Sequence, residues 1–141
     1  MLIKIVEKDD EDYKIGDLVG ELKKNSKIDE SGAIFTFEGF VRGKEIKHII
    51  LNSPDKKKTE KKLIDMVKDI KEKYNIYEIA AVHYIGKFYT GDTLFLIAVL
   101  GSHREETLEA MKDAIEKIKY ELEFKKEEVS NDGTKIILAG G

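Results

Sequence analysis

Residues 93–100 are almost continuously apolar, and this run constrains the fold more than any other part of the chain. A strand with one face in water alternates apolar and polar residues, whereas a strand that is covered on both faces does not need to. The run therefore predicts a strand in the middle of a sheet. Such a strand needs partners on both edges, so the remaining sequence must supply more strands and the helices that cover the sheet.

The other predicted elements surround that strand and indicate an α+β fold. β-prone segments bounded by turn residues predict strands over residues 2–6, 33–41, 46–51, 76–85, 123–129 and 134–138, with a turn over residues 86–92. Apolar residues at three- and four-residue spacing predict a short helix over Ile15–Leu22 and long helices over about residues 58–74 and after Arg104. We expect a single domain over residues 1–141, with a mixed, largely antiparallel sheet, two long helices and one short helix.

The last long helix is predicted to turn one apolar stripe toward the core. The stripe consists of Leu108, Met111, Ile115, Ile118 and Leu122. Lys119 lies at its edge, so its ammonium is expected to emerge beside apolar side chains. Such surroundings disfavour the charged form of a lysine and favour a base or a nucleophile, a role open also to Lys125 and Lys126. The plain alternative is that Lys119 is a boundary residue and Lys126 an ordinary strand lysine.

Composition excludes several kinds of site. Cysteine is absent, which rules out disulfides, thiolate metal sites and cysteine nucleophiles. The three histidines lack the close spacing of a zinc helix, so we predict no structural metal. Positive and negative residues are interleaved and the net charge is -3, which argues against a nucleic-acid surface. The N-terminal residues resemble neither a secretion signal nor a membrane span, so a soluble, cytoplasmic protein is expected.

Arginine is rare in this chain, since Arg42 and Arg104 are the two arginines among 25 basic residues. Each stands near a glycine-containing turn. The planar guanidinium grips an anion such as phosphate in a bidentate way that lysine cannot reproduce. The two positions therefore predict an anion site. The alternative is that both arginines make surface ion pairs of little energetic weight.

His103 precedes Arg104 at the predicted start of the last long helix. The free amides of a helix N-terminus can hold an anion, with Arg104 pairing its charge. Alternatively, Ser102 is the N-cap of this helix, with Glu105 or Glu106 in the first turn. His83 lies within a predicted strand, where a structural hydrogen bond is its expected role.

Several short motifs occur together and in order along the chain. They are Gly32-Ala33, residues 37–42 (FEGFVR), His83 with Ile85-Gly86, Gly91-Asp92, Ser102-His103-Arg104, Lys119, Lys126 and Glu128. Jointly they resemble the large, catalytic subunit of molybdopterin synthase. The resemblance implies an α/β-hammerhead type of fold and a homodimer. It also implies a small ubiquitin-like sulfur carrier as partner, whose C-terminal Gly-Gly thiocarboxylate enters the active site of the resulting heterotetramer.

The resemblance implies roles residue by residue. Lys119 and Lys126 match the catalytic lysines, and Lys119 is the better candidate for the group that attacks or activates the thiocarboxylate. The positions that bind the pterin phosphate are matched by Phe40, Val41, Arg42, His103 and Arg104, and the substrate-binding pocket wall is matched by Lys126, Glu127 and Glu128. The implied reaction inserts two sulfur atoms into cyclic pyranopterin monophosphate and yields the dithiolene of molybdopterin. It requires no metal and no cofactor of the enzyme.

Three places depart from the family pattern, and they leave other hypotheses open. Tyr84 stands where an arginine is usual, Asn52 lies where a Tyr-Glu pattern is usual, and Lys125 replaces a tryptophan. The second hypothesis is a noncatalytic paralogue that binds the carrier or acts as a dimeric scaffold, and a lysine-dependent Schiff-base enzyme is the third. The closing Gly140-Gly141 matches the carrier's own ending; we expect a loose tail, or else a segment that docks in a neighbouring subunit's pocket.

Overall fold

The computed structural model describes residues 1–133 and 135–139, the last four by their backbone only. The predicted role of Gly140-Gly141 concerns residues outside this range. Within it, the strands are β1 Ile3–Glu7, β2 Ala33–Phe40, β3 Ile46–Asn52, β4 Glu78–Phe88, β5 Thr93–Gly101, β6 Lys125–Ser130 and β7 Lys135–Ala139. The helices are α1 Ile15–Leu22, α2 Lys56–Tyr74 and α3 Arg104–Glu121, and a 3₁₀ turn covers Ile28–Glu30.

The strands form one sheet in the order β2-β5-β4-β3-β6-β7, and β1 pairs with β4 outside this path. The β1–β4 pair is parallel, and the remaining pairs among the described residues are antiparallel. The apolar strand β5 lies between β2 and β4, and its residues from Phe95 onward are buried. The predicted α+β class, with a mixed and largely antiparallel sheet, is confirmed, as are two long helices and one short one.

Strand β4 is longer than the sequence predicts. The prediction placed a turn over residues 86–92, but the strand continues through Gly86 to Phe88. Gly86 has a positive φ of 127°, a conformation that only glycine adopts readily. At this point β4 changes partner: it pairs with β5 up to His83 and with β3 from Gly86 onward. The glycine is therefore a bend inside a strand, not the end of one.

Helix α3 turns most of the predicted stripe to the core, since Met111 and Ile118 are buried. Leu108 is 40% exposed, so its place in the core stripe is wrong. The buried residues of the helix are Thr107, Ala110, Met111, Ala114 and Ile118. The prediction followed the large apolar residues and left out the small side chains of Ala110 and Ala114, which also face the core. Ile115 is only partly buried, and Leu122 is buried just beyond the helix end.

Helix α2 packs on α3 and braces it. It begins at Lys56, where the Asp55 carboxylate accepts a hydrogen bond from the Lys58 amide at 3.2 Å. Near its other end the Tyr74 hydroxyl donates to the Asp113 carboxylate on α3 at 3.1 Å. None of the helices in the described part of the chain is long and apolar enough to cross a membrane.

Candidate active site

A cleft of about 480 Å³ lies where five elements meet. It is bounded by the end of β2, the middle of β3, the start of β5, the last turns of α3 and the strand β6. The lining residues are Phe37, Glu38, Gly39, Phe40, Val41, Arg42, Ile49, Leu94, Phe95, Ile115, Lys119, Lys126 and Glu128. One wall is thus apolar, and a few charged groups converge on it, as is typical of a binding site for a small polar molecule.

The tight turn between β5 and α3 brings Lys119 to this cleft. Only Ser102 and His103 separate the strand from the helix, so the helix doubles back along the strand and its last turn returns to the start of β5. The turn needs a glycine, because a Cβ at Gly101 would lie 2.0 Å from the Thr107 hydroxyl oxygen. Lys119 therefore reaches the same cleft as Phe95, although the two residues are distant in sequence.

Strand register brings Lys126 and Glu128 to the opposite wall. Lys126 pairs with Leu51 and Glu128 with Ile49 on β3. Because alternate residues of a strand share a face, both side chains point into the cleft. Glu127 points the other way, and its carboxylate pairs with the Lys135 ammonium at 3.0 Å. Of the three predicted wall residues, the structure brings Lys126 and Glu128 to the cleft and leaves the Glu127 side chain outside it.

Three cations line the cleft together with the carboxylates of Glu38 and Glu128. Within residues 1–133 and Lys135, no carboxylate forms an ion pair with Arg42, Lys119 or Lys126. The Lys119 ammonium lies 5.5 Å from the centroid of the Tyr120 ring. Arg42 and Lys119 are exposed and Lys126 is partly buried, so all three can attract an anion that enters the cleft.

The end of β2 supplies the third wall and its three predicted residues. Phe40 is 54% exposed at the mouth of the cleft, Val41 is buried, and Arg42 follows them. Opposite this end, Gly39 pairs with Phe95 and Phe40 with Thr93, which leaves Leu94 as an extra residue on β5. This β-bulge turns Leu94 into the cleft.

The floor of the cleft rests on a buried histidine. The His83 imidazole stacks on Phe95, a lining residue, and on Phe124, with ring centroids 5.2 and 4.5 Å apart. Its Nδ1 donates to the Tyr84 carbonyl oxygen at 2.8 Å, so the ring has the structural hydrogen bond that the sequence predicts. Burial lowers the pKa of His83 to about 4, which keeps the ring neutral near pH 7.

His103 and Arg104 lie at the far end of α3 from Lys119. His103 is the N-cap, so the alternative that placed Ser102 there is wrong; the His103 amide donates to the Glu106 carboxylate at 2.6 Å. The exposed Arg104 guanidinium lies 3.6 Å from the Glu105 carboxylate. At 1.5 Å per residue, Arg104 and Lys119 are roughly 22 Å apart along the helix axis. Within one protomer, neither His103 nor Arg104 lines the cleft.

The sequence reasoning missed several lining residues, most of them apolar. Glu38 is the one that carried a signal, because it is the single charged residue in the predicted strand 33–41. Its carboxylate accepts a hydrogen bond from the Thr93 hydroxyl at 2.7 Å across β2 and β5. Phe37, Ile49, Leu94, Phe95 and Ile115 carried none, because their side chains are equally typical of a core.

The family model described as "MoaE protein" matches residues 9–121 of this chain. The chain belongs to the MoaE protein family. The matched part of this family member includes Arg42, His103, Arg104 and Lys119. Lys126 and Glu128 lie beyond the match, and it is the cleft that places them beside Lys119.

Curated and structural relatives agree with this assignment. The MoaE family chain is 27% identical to the molybdopterin synthase catalytic subunit of Yersinia pestis over 131 aligned residues. The aligned part covers 90% of this chain and 84% of the relative. Its fold matches a crystal structure of molybdopterin synthase from Staphylococcus aureus with a TM-score of 0.80 and 26% identity, over 96% of each chain. It also matches, with a TM-score of 0.71 and 18% identity, a chain in a complex of subunits 1 and 2 of molybdopterin-converting factor from Helicobacter pylori, over 95% of this chain and 88% of that chain.

Proposed function

We propose that this MoaE family chain is the catalytic subunit of a molybdopterin synthase. In this role it inserts two sulfur atoms from a thiocarboxylated ubiquitin-like carrier into cyclic pyranopterin monophosphate. One observation carries the proposal: Arg42, Lys119 and Lys126 converge, without ion pairs in the described part of the chain, on one partly apolar cleft. The names of its relatives support the same reaction.

The cleft suits the two substrates of that reaction. A pterin ring has apolar faces that can pack against Phe37, Leu94 and Phe95, while its phosphate is an anion for the cations. The carrier's thiocarboxylate is a second anion. Each transfer breaks its carbon–sulfur bond and leaves a carboxylate whose new oxygen comes from water, so two carriers are consumed for each dithiolene.

Lys119 and Lys126 have different roles in the proposed reaction. Lys119 stands at the end of α3 beside Ile115 and is the candidate for the group that attacks or activates the thiocarbonyl carbon. Lys126 enters from the opposite wall on β6, where its ammonium can stabilise negative charge that develops on oxygen or sulfur. The Glu128 carboxylate, on the same face as Lys126, is placed to accept a proton.

A second copy of the chain accounts for His103 and Arg104. Both are expected to bind the pterin phosphate, yet in one protomer they lie at the far end of α3 from the cleft. The two statements agree if the chain forms a homodimer in which His103 and Arg104 of each copy lie at the cleft of the other copy. With one carrier on each copy, the assembly is a heterotetramer, and we infer that it works in the cytoplasm.

The alternative of a noncatalytic paralogue depended on the departures from the family pattern. None of the three departing side chains lines the cleft. Tyr84 is buried, and its hydroxyl accepts a hydrogen bond from the Tyr13 amide at 2.8 Å. Asn52 and Lys125 are exposed and pair with each other at the ends of β3 and β6. The lining of the cleft is therefore untouched by these changes, which favours the enzyme.

The test is incubation of the protein with thiocarboxylated carrier and cyclic pyranopterin monophosphate, with the dithiolene product measured. We expect the wild type to form the product and Lys119→Ala to form at least a hundredfold less, on the order of the loss of a general base or nucleophile. The matched control is Lys112→Ala on the same helix, because Lys112 pairs with Glu109 at 3.3 Å outside the cleft. A wild type that binds the carrier and forms no product would favour the scaffold.

A further inference from the structure

The residues on both sides of Arg42 are held by one turn. Residues 41–45 belong to no helix or strand, so the position of this segment depends on individual hydrogen bonds. The turn over residues 89–92 provides them. The Val41 amide donates to the Asp92 carbonyl at 2.9 Å, the Gly91 amide donates to the Val41 carbonyl at 2.7 Å, and the Thr90 hydroxyl donates to the Gly43 carbonyl at 2.8 Å.

The carboxylate and the amide of Asp92 stabilise the turn over residues 89–92. Its carboxylate accepts from the Tyr89 amide at 2.7 Å, and the Asp92 amide donates back to the Tyr89 carbonyl at 2.9 Å. The same carboxylate oxygen accepts from the Lys8 ammonium at 2.5 Å. Burial acts to raise the pKa of Asp92, but the bonds from Lys8 and the Tyr89 amide outweigh it and lower that pKa. The carboxylate is thus charged where it closes the turn.

Lys8 connects the turn over residues 89–92 to the sheet through hydrogen bonds. It follows β1, and its amide donates to the Ile85 carbonyl at 2.9 Å, which extends the β1–β4 pairing by one residue. Its ammonium also donates to the Lys87 carbonyl at 3.1 Å and lies 5.5 and 5.4 Å from the ring centroids of Phe88 and Tyr89. A half-buried ammonium with two oxygen acceptors and two aromatic rings is better fixed than an exposed surface pair.

We propose that Lys8 and Asp92 are positioning residues for Arg42. They hold the turn at residues 89–92, and the turn fixes the backbone at Val41 and Gly43, so that the Arg42 guanidinium meets the substrate phosphate at the edge of the cleft. Neither side chain lines the cleft. The inference rests on the proposed function insofar as the anion is the pterin phosphate, whereas the hold on the backbone does not depend on it.

The chain offers a matched control for the ion pair. Lys4 lies within β1 and pairs with Glu11 at 3.4 Å, but these two side chains are more exposed than those of Lys8 and Asp92. Lys4→Met and Lys8→Met therefore remove the same charge and shorten the side chain by the same single atom. Only Lys8→Met removes the tie to Asp92.

The experiment has two readouts on the wild type, Lys8→Met and Lys4→Met. The first is amide hydrogen exchange at Val41 and Gly91 by NMR, which needs no substrate. The second is the Kd for cyclic pyranopterin monophosphate together with KM and kcat for dithiolene formation. For Lys8→Met we expect exchange at both amides to accelerate about tenfold and Kd and KM to rise about tenfold with kcat within about twofold, the size of one charge-assisted hydrogen bond. Lys4→Met should match the wild type, and Lys8→Arg should recover part of the loss.

Each other result has a defined meaning. Unchanged exchange in Lys8→Met overturns the hold on the backbone, and faster exchange with an unchanged Kd overturns the effect on Arg42. A fall in kcat with an unchanged KM also contradicts positioning of a binding group. If Lys8→Met does not fold, Asp92→Asn gives the same test with a neutral acceptor of the same shape. A wild type that binds the pterin phosphate without forming product refutes the proposed function and leaves Kd to decide this proposal. A wild type that does not bind it refutes the proposed function and the role of Arg42 toward the phosphate, and the exchange at Val41 and Gly91 still decides the hold on the backbone.

Discussion

The His83 imidazole and the Phe95 ring stack almost parallel, with their centroids 5.2 Å apart and their planes 2° apart. The two residues are paired neighbours on β4 and β5. Phe95 lines the cleft while His83 lies beneath it, so the stack joins the cleft floor to the core. Burial without a carboxylate partner makes the neutral form of this histidine the stable one in the folded protein.

The pH dependence of stability should follow from His83. Burial lowers its pKa to about 4 in the folded protein, while in the unfolded chain it is near 6.5. As pH falls from 6.5 toward 4, the unfolded state takes up a proton that the folded state does not, so stability is lost over this window and levels off below it. Between pH 7.5 and pH 5 we expect about 2 kcal/mol of this loss from His83.

The measurement is urea unfolding of the wild type and of His83→Phe at both pH values. Phenylalanine preserves an aromatic ring and has no proton to bind, so the difference between the two pH values should shrink by that amount in the variant. Comparing differences removes the cost of the substitution itself. An equal loss in both proteins would mean that His83 is not the group responsible.

Local patterns were enough to predict most of the fold. Helix α1 covers the predicted residues Ile15–Leu22, because its apolar spacing is regular and its neighbours break it on both sides. The central strand β5 was equally clear. The exposure of Leu108 on α3 was not clear from the sequence. The periodicity was read from large apolar residues, whereas alanines also face the core where a helix packs closely on its neighbours.

The site was harder to predict because it depends on pairing between distant strands. That Lys126 lies across from Lys119 follows from the register of β6 on β3, in which Lys126 pairs with Leu51, and nothing local in the sequence fixes that register. Only the resemblance to a family indicated that the two lysines share one site. Strand alternation could have separated Glu127 from Glu128, because only every second residue of β6 faces the cleft.

Arg42 should control affinity for the phosphate more than the rate of sulfur transfer. Arg42→Ala removes a bidentate charged contact worth about 1.5–3 kcal/mol, so we expect KM for cyclic pyranopterin monophosphate to rise about ten- to a hundredfold with kcat little changed. Arg42→Lys should recover only part of this, because one ammonium cannot reproduce the fork. Lys44→Ala, two residues away and outside the cleft, is the control. A fall in kcat with KM unchanged would instead indicate contact with the reacting atoms.

Gly39 should be needed for the shape of the cleft floor. A Cβ at this position would lie 3.0 Å from Phe95 Cε1 and 3.2 Å from Phe37 Cε1, two rings that line the cleft and contact each other at 5.3 Å between centroids. Gly39→Ala should therefore force the rings apart and lower stability by about 1–3 kcal/mol. Pterin affinity should fall as well.

Gly20→Ala provides the contrast for that substitution. Gly20 lies in α1, where a Cβ would meet nothing within 4 Å. Here alanine should raise stability by about 0.5–1 kcal/mol, because glycine is a poor helix former. Thermal unfolding of the two variants against the wild type measures both signs. An equal change in stability in the two variants would show that Phe37 and Phe95 move aside for the added methyl group without loss of stability.

Subunit mixing should reveal whether each active site is built from two copies. Arg104 and Lys119 are roughly 22 Å apart along α3, so a pterin phosphate near Lys119 cannot reach Arg104 of the same protomer. If the homodimer joins the helix start of one copy to the cleft of the other, Arg104→Ala and Lys119→Ala should each lower activity. In a mixed dimer of the two variants, one site has both residues intact and the other has neither. After unfolding and refolding an equal mixture, half of the dimers are mixed, so about a quarter of the wild-type activity should return. Refolding each variant alone is the control for losses during the procedure. If the mixture shows only the average of its two components, Arg104 does not serve a neighbouring cleft.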